Sequence, residues 1–349
     1  MGQSKKITYC DAINLALHDA MTADENVVVY GLDVTDHKRI FGSTKGLESF
    51  GGGRFFSTPL SEEAMTGVGI GMAMNGQRPV HCHIRADFLL LCMNQIVNMA
   101  AQLPQISCEQ VSIPLTIRAV MGRGWGQGCQ HSKSMHGILA HIPGIKCYLP
   151  VTPQDAYDMT RTAIDEDSLS VILEHRWLYD IEGEVKKFPF GPHGIFDPEI
   201  VRHGKDITVV AVSWMVVEAL KMADAMSRLH GVEVEVIDIR TTNPSFHAVY
   251  QSVNKTRNCM VADYDWEKCG FGEHLAYQIM KEVGHLTTHP VWVNGFADEH
   301  CPTARHLEDQ FYTNAYDLIR VAEMTLGLDE ADLSGEEFYS YENKFKGPF

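Results

Sequence analysis

The chain predicts a two-domain α/β protein whose larger, first domain is built on a parallel sheet, and three observations predict it. At 349 residues, 45% hydrophobic and 21% charged, it has the composition of a globular protein and the length for two ordinary domains. Short apolar, β-branched runs alternate with longer segments of helical period, and this alternation implies parallel pairing through helical crossovers. The alternation is interrupted once, from 182 to 206, by EGEVKKFPFGPHGIFDPEIVRHGKD, which is rich in Gly, Pro and charge and has no sustained period.

In chain order, the predicted strands of the first domain are NVVVYG at 26, PVHCHI at 79, IPLTIRAV at 113, IKCYLP at 145 and LSVILE at 169. Continuously apolar strands of this kind suit a sheet covered on both faces. Helical periods fall at 62–75, 88–103 and 153–165. The second domain reads as ITVVAVS at 207, a helix over 214–229, VEVEVIDI at 232, a helix over 246–256, CMVADY at 259, a helix over 271–283, PVWVNGF at 290 and a last helix over 313–327. The expected boundaries are therefore 1–185, a linker at 186–206, a smaller domain at 207–328, and a loosely docked acidic extension from Asp329 to 349. There is no repeat of fixed period and no low-complexity tract.

A formal charge of −16, from 45 acids against 29 basic residues, argues against a phosphate-backbone partner, which needs clustered Lys and Arg. FLLLC and VGIGMAM are far shorter than a membrane span. MGQSKKITYC lacks an apolar signal region and carries Lys6 where a myristoylation motif needs Ser or Thr, so the expected location is the cytoplasm, or an organelle matrix after processing. The nine cysteines contain no CxxC pair and read as reduced thiols. In HCH at 81–83, strand alternation places Cys82 on the face opposite the two histidines, which does not make a zinc set.

The stretch TPLSEEAMTGVGIGMAMNG, from 58 to 76, puts glycines at 67, 69 and 71 inside a predicted helix, where each costs about 0.5–1 kcal/mol relative to Ala. Something must approach that backbone: a tightly packed neighbour on the plain reading, a cofactor or partner subunit on the sharper one. The spacing fails G-x-G-x-x-G, so no dinucleotide loop is indicated.

TPLSEEAMTGVGIGMAMNGQRP, ADFLLLCMNQIVNMAA, PLTIRAVMGRGWGQGCQHSKS, HIPGIKCYLPVTPQDAYDM and ILEHRWLYD, in that order, resemble the β subunit of the thiamine-diphosphate-dependent 2-oxo acid dehydrogenases of pyruvate, branched-chain and acetoin type, within the transketolase-like superfamily. The resemblance runs over residues 5–327 and implies a pyrimidine-binding domain followed by a transketolase C-terminal-like domain. It also implies that Glu62 is the cofactor glutamate and Glu63 a bystander. A carboxyl group in an apolar pocket can exchange a proton with a ring nitrogen of the aminopyrimidine and so bring about the ylid nucleophile. Phe88 falls where the family packs an aromatic on that ring. His131 falls on the active-site histidine, in a glycine-rich stretch (Gly122, Gly124, Gly126, Gly128) where a site residue is expected. His136 and His141 match no catalytic position and read as structural.

Lys133 stands where the dehydrogenases usually carry Gln, and Trp125 and Gln127 also depart from the pyruvate-type loop, so Lys133 and Gln130 are the candidate substrate-facing residues. The family's potassium ion, held by backbone carbonyls, maps to Leu115, Ala163, Ile164, Glu166 and Ser168, although DEDSLS replaces the usual D-N-N-P. The G-D-G element that holds Mg²⁺ and diphosphate in thiamine enzymes is absent, so the resemblance implies an α-type partner subunit carrying both, in an α2β2 heterotetramer. IDIRTTNP resembles the family's IDLRT-x-x-P, in a domain expected to serve dimerisation and docking to a lipoyl acyltransferase core. Three further readings stay open: a two-subunit transketolase-like enzyme moving a ketol or acyl unit to a sugar or carbonyl acceptor, a non-catalytic scaffold, and a flavodoxin-like binding module.

Overall fold

Thr8 begins the fold by accepting a hydrogen bond from the Asp11 amide at 3.0 Å, which caps α1 (Tyr9–Ala23) directly after the short strand β1 (Lys5–Thr8). The computed structural model describes residues 5–122, 127–187, 197–336 and 338. Two units result, Met1–Gly122 with Ile138–Ile195 and Arg123–Gly137 with Phe196–Phe349.

The first unit holds a six-stranded sheet of β2 (Val27–Gly31), β3 (Phe55–Ser57), β4 (Arg78–His83), β5 (Thr116–Met121), β6 (Lys146–Tyr148) and β7 (Ser170–His175). Its order is β3-β2-β4-β5-β7-β6 and every pair is parallel. β2, β5 and β7 are buried at every position, the consequence of a sheet covered on both faces. α2 (Glu62–Met74) leads from β3 back to β4, and α3 (Leu103–Ile106), α4 (His136–Ala140) and α5 (Pro153–Asp165) follow, α5 with a Thr152–Asp155 capping box. Because β3 lies on one side of β2 and β4 on the other, the chain reverses direction here, and α2 starts at the carboxyl ends of these strands. That is where open α/β sheets bind ligands.

Arg118 and Glu174, on neighbouring strands, form a buried two-pronged ion pair at 2.6 and 2.9 Å, extended by Tyr179 Oη donating to Glu174 and Arg118 donating to Ser43 Oγ at 3.1 Å. Burial opposes the arginine's charge, but Glu174 prevails and its pKa is raised. Arg118→Met leaves Glu174 buried without its partner, and the expected loss is about 3–5 kcal/mol in urea unfolding. A loss below about 1 kcal/mol would show that water or Tyr179 replaces the pair.

The second unit holds β9 (Glu199–Arg202), β10 (Ile207–Ala211), β11 (Val234–Asp238), β12 (Cys259–Trp266) and β13 (Trp292–Phe296), in the order β13-β12-β10-β11-β9. The pairs among β10 to β13 are parallel and β9 is an antiparallel edge. Its helices are α6 (Met215–His230), α7 (His247–Thr256), α8 (Phe271–Val283), α9 (Arg305–Phe311) and α10 (Ala315–Leu326).

Four sequence expectations need correction. The helix expected over 88–103 is a 3₁₀ segment (Ala86–Cys92), a π segment (Asn94–Ala100) and then α3, because the apolar pattern fixes which face is buried and not the winding of the backbone. The stretch expected to be a linker contains β9, whose pairing partner is far away in sequence, and Glu182–Val185 (β8) just before it pairs antiparallel with β1. Residues 188–196 of that stretch lie outside the described residues. The extension beyond Asp329 is held, not loosely docked, as far as it is described: Leu333 and Phe338 are buried, Arg228 grips Glu336 through two bonds, and Lys221 donates to the Phe338 carbonyl. Residues 339–349 lie outside the described residues. Finally, α1, β3 and the β1–β8 pair went unpredicted.

Candidate active site

Glu62 is the first residue of α2 and is half-buried, placed where the helix dipole favours a carboxylate. Glu63 is exposed and accepts from Gln95 Nε2 at 3.1 Å, so the two adjacent acids have different surroundings. One turn on, Thr66 is buried, donates to the Glu62 carbonyl at 2.8 Å and lies 3.2 Å from His81 Nδ1. Cys92 completes this corner. Burial pushes its thiol up to about 11, the Thr66 hydroxyl opposes this and the charges of Glu62 and Glu63 add to it, while its sulfur reaches the Phe88 carbonyl at 3.8 Å. The fold thus brings Glu62 and the half-buried Phe88 to one corner through Thr66 and Cys92.

Sequence reasoning missed what lies beneath. His81 stacks on Tyr30 with ring centres 4.6 Å apart and planes 3° apart, and His83 Nε2 lies 3.2 Å from His81 Nδ1. Burial lowers both histidines, His83 to about 4 and His81 well below its ordinary value with His83 adding to the effect, so both are neutral at pH 7. The HCH alternation was the available signal: it put both histidines on one face but did not say that the face lies under α2. Gly69 is explained in the same place, because a Cβ there would lie 2.2 Å from Tyr30 Oη, which donates to the Met65 carbonyl at 3.0 Å.

Gln130, His131 and Lys133 belong to the second unit. Gly128–Gln130 is a 3₁₀ turn ended by His131, which is half-buried, while Gln130 is exposed. The Lys133 ammonium donates to the Cys129 carbonyl and so closes the turn on itself. Tyr312 Oη donates to the Ser132 carbonyl at 2.9 Å. Gly128 takes φ +59°, and a Cβ there would lie 2.6 Å from Thr303 Oγ1. Gln127 is half-buried, whereas Trp125, Gly124 and Gly126 lie outside the described residues.

His136 is fully buried. Its Nε2 lies 2.8 Å from Asp263 Oδ1 and 3.8 Å from Asp265 Oδ2, its Nδ1 lies 2.7 Å from Ser134 Oγ, and Phe271 meets the ring edge-on. Burial works against its charge, but Asp263 and then Asp265 outweigh burial and its pKa is raised. Burial also lifts Asp265 to about 6, with His136 opposing. Both groups hold protons more tightly folded than unfolded. Their stabilisation is therefore lost on raising the pH, that of Asp265 between about 4 and 6 and that of His136 above about 6.5. The stability gap between the wild type and His136→Gln should narrow as pH rises from about 6.5 to 9 in urea melts, and a widening gap would contradict this assignment.

The carbonyls mapped to potassium already have donors from the chain. Leu115 accepts from Ser170 N–H at 3.0 Å, Ala163 from Thr116 Oγ1 at 2.9 Å, and Ile164 and Glu166 both from Arg78 Nη1, at 3.0 and 3.2 Å. The Ser168 hydroxyl is buried without a hydrogen-bond partner among the described residues. Each carbonyl keeps a second lone pair, but a guanidinium already supplies positive charge to this turn.

No helix among the described residues is long and apolar enough to cross a membrane. Residues 5–181 match the transketolase pyrimidine-binding domain and residues 197–317 the transketolase C-terminal domain. The chain is 33% identical to the β subunit of acetoin:2,6-dichlorophenolindophenol oxidoreductase of Cupriavidus necator, over 80% of this chain and 86% of that one. It is 32% identical to the mitochondrial pyruvate dehydrogenase E1 component subunit beta-2 of Oryza sativa subsp. japonica, over 91% and 86%. A split-gene transketolase solved as an inactive β4 tetramer shares the fold, with TM-score 0.71 at 18% identity over 95% of this chain and all of that one. With its two transketolase domains in order and nearly full-length likeness to these β subunits, the chain belongs to the transketolase-like family of β subunits of thiamine-diphosphate-dependent 2-oxo acid and acetoin dehydrogenases.

Proposed function

We propose that this chain is the β subunit of an enzyme that decarboxylates a 2-oxo acid and passes the acyl group to a lipoyl group. The observation that carries the reading is the position of Glu62, half-buried at the start of α2 and at the carboxyl ends of β2, β3 and β4, in one corner with Phe88. Thiamine diphosphate, when bound, supplies the carbon nucleophile and the electron sink. Glu62 would hold and return the proton of the aminopyrimidine, and Phe88 would lie against its ring. Thr66, tied to the Glu62 carbonyl, and the neutral pair His81 and His83 would keep this helix start in place. His131 would meet the substrate or the incoming acceptor, with Gln130 and Lys133 shaping what enters. The proposed domain limits are 1–185, 186–206, 207–328 and 329–349, amended in that residues 127–137, strand β9 and the described residues beyond Asp329 belong with the second unit.

The chain carries no G-D-G element, which supports an α-type partner holding Mg²⁺ and diphosphate in an α2β2 assembly, with a lipoyl acyltransferase core as the acceptor's carrier. At the turn of Leu115, Ala163, Ile164, Glu166 and Ser168, potassium would use the second lone pairs beside Arg78. A higher melting temperature in K⁺ than in Na⁺ supports that site, and equal melting assigns the turn to Arg78 alone.

The test is dye reduction by this chain copurified with its α-type partner, thiamine diphosphate and Mg²⁺, across a panel of 2-oxo acids and ketose donors. Turnover of a 2-oxo acid that depends on the partner supports the proposal and names the substrate. Turnover of ketose donors alone replaces it with a transketolase-like reaction, for which Lys133 is the first residue to change.

A further inference from the structure

Beyond the residues assigned to the reaction, the second unit carries a buried charged cluster for which that reaction has no use, and it sits five residues from His131. Asp263 and Asp265 lie on β12, on the same side of the strand. Asp263 accepts from His136 Nε2 and, through its other oxygen, from the Gly272 amide at 2.7 Å, in the first turn of α8. Asp265 accepts from the Gly137 amide at 3.1 Å and from the Trp266 amide at 2.9 Å. Two glycines make room for these carboxylates: a Cβ at Gly137 would lie 2.7 Å from Asp265 Oδ2, and one at Gly272 would lie 3.1 Å from the Asp263 Cβ. Ser134 Oγ satisfies the remaining imidazole nitrogen.

The segment 127–137 is thereby fastened to its own unit at several points, among them Gly128 against Thr303, Ser132 to Tyr312, Gly137 to Asp265 and His136 to Asp263. Only the last is a pairing of fully buried ionisable groups, and breaking such a pair from one side costs far more than losing a surface contact. His131 lies between the fastenings at Gly128 and Ser132, inside the turn that Lys133 closes on the Cys129 carbonyl.

We propose that His136 is a positioning residue for His131: clamped between Asp263, Asp265 and Ser134, it fixes the segment that presents the His131 imidazole. The inference rests on His131 facing the substrate, as proposed above. It differs from simple core packing because a side chain that fills the space without hydrogen bonds should not replace it, whereas one that donates to Asp263 and accepts from Ser134 should.

The experiment compares His136→Phe, His136→Gln and Asp263→Asn with the wild type. Hydrogen exchange by mass spectrometry is read on the full chain over residues 127–135, and turnover is read on the assembled holoenzyme. Phe is expected to speed exchange in this segment about tenfold or more, and Gln to leave it within about threefold. Should the Phe variant fail to fold, Asp263→Asn, which keeps the shape and removes the charge, is expected to give the same local increase. In the holoenzyme, kcat should fall about tenfold or more for Phe with KM for the 2-oxo acid within about twofold, and Gln should restore most of it.

Exchange that stays at wild-type rates in the folded Phe or Asn variant overturns the proposal. So does an increase spread evenly over β12 and α8, which marks a merely structural cluster, and so does locally faster exchange with unchanged kcat. If the wild type itself turns over no 2-oxo acid, the functional reading fails, and the exchange data still decide whether His136 holds the segment.

Discussion

Glu62→Gln is expected to lower turnover about 10²–10⁴-fold while leaving the melting transition and assembly with the partner almost unchanged. Gln fills nearly the same space and keeps hydrogen-bonding capacity, but it cannot hold and return a proton. The stability cost is confined to the favourable interaction of a carboxylate with the first turn of α2, about 0.3–1 kcal/mol. No buried ion pair is broken, since the Glu62 side chain is half-exposed. Glu63→Gln is the internal control: it changes one exposed bond to Gln95 and should leave turnover within about twofold. Wild-type turnover by the assembled Glu62→Gln enzyme would show that the acid is only an N-terminal helix residue. Equal losses from both substitutions would show that the charge of the pair matters, not its proton.

Gly69→Ala should destabilise the chain by about 1–3 kcal/mol, the cost of overpacking. The added Cβ would stand 2.2 Å from Tyr30 Oη and 3.2 Å from Leu115 Cδ1, so Tyr30 must leave its bond to the Met65 carbonyl and disturb its stack on His81. The other two glycines of the helix are expected to behave in the opposite way. Among the described residues, a Cβ at Gly71 would meet nothing within 4 Å, and one at Gly67 only the Gln95 Cγ at 3.8 Å. In the chain by itself, Gly71→Ala should therefore raise stability by about 0.5–1 kcal/mol through helix propensity. Urea melts of the three variants check this ordering. If Gly71→Ala stabilises the chain but weakens its copurification with the α-type subunit, the glycine is kept for close approach of a partner. If both properties improve, no contact requires it.

These two cases separate what was legible from what was not. The plain and the sharp readings of the glycine-rich helix both came from spacing, and the fold divides them by position: among the described residues Gly69 has a close neighbour and Gly71 has none. Spacing could not make that division, because three glycines at alternate positions point in different directions round a helix and only the neighbours tell them apart. Strands β2, β4, β5, β7, β10, β11 and β12 were legible because burial on both faces writes itself into consecutive residues. β1, β8 and β9 were not. They are short edge or paired strands whose composition is ordinary for a loop, and a strand of that kind exists only through its partner.

His136, structural on the sequence reading because it matches no motif, is buried as that reading expects. Its environment is a charged one, however, with Asp263 supplied from 127 residues away. The same holds for Arg118 and Glu174, which sit 56 residues apart and meet because β5 and β7 are neighbours in the sheet.

By itself, then, the sequence determined the class of the fold, the order of most of its elements, the family, and the identity of the residues to test first, because each depends on residue types at short spacing. Only the tertiary structure decided which acid of the Glu62–Glu63 pair is half-buried, which glycine is needed inside the chain, and that His136 is clamped between two carboxylates. Burial and charge pairing are properties of neighbours in space, and a parallel sheet brings together side chains whose separation along the chain carries no periodic signal.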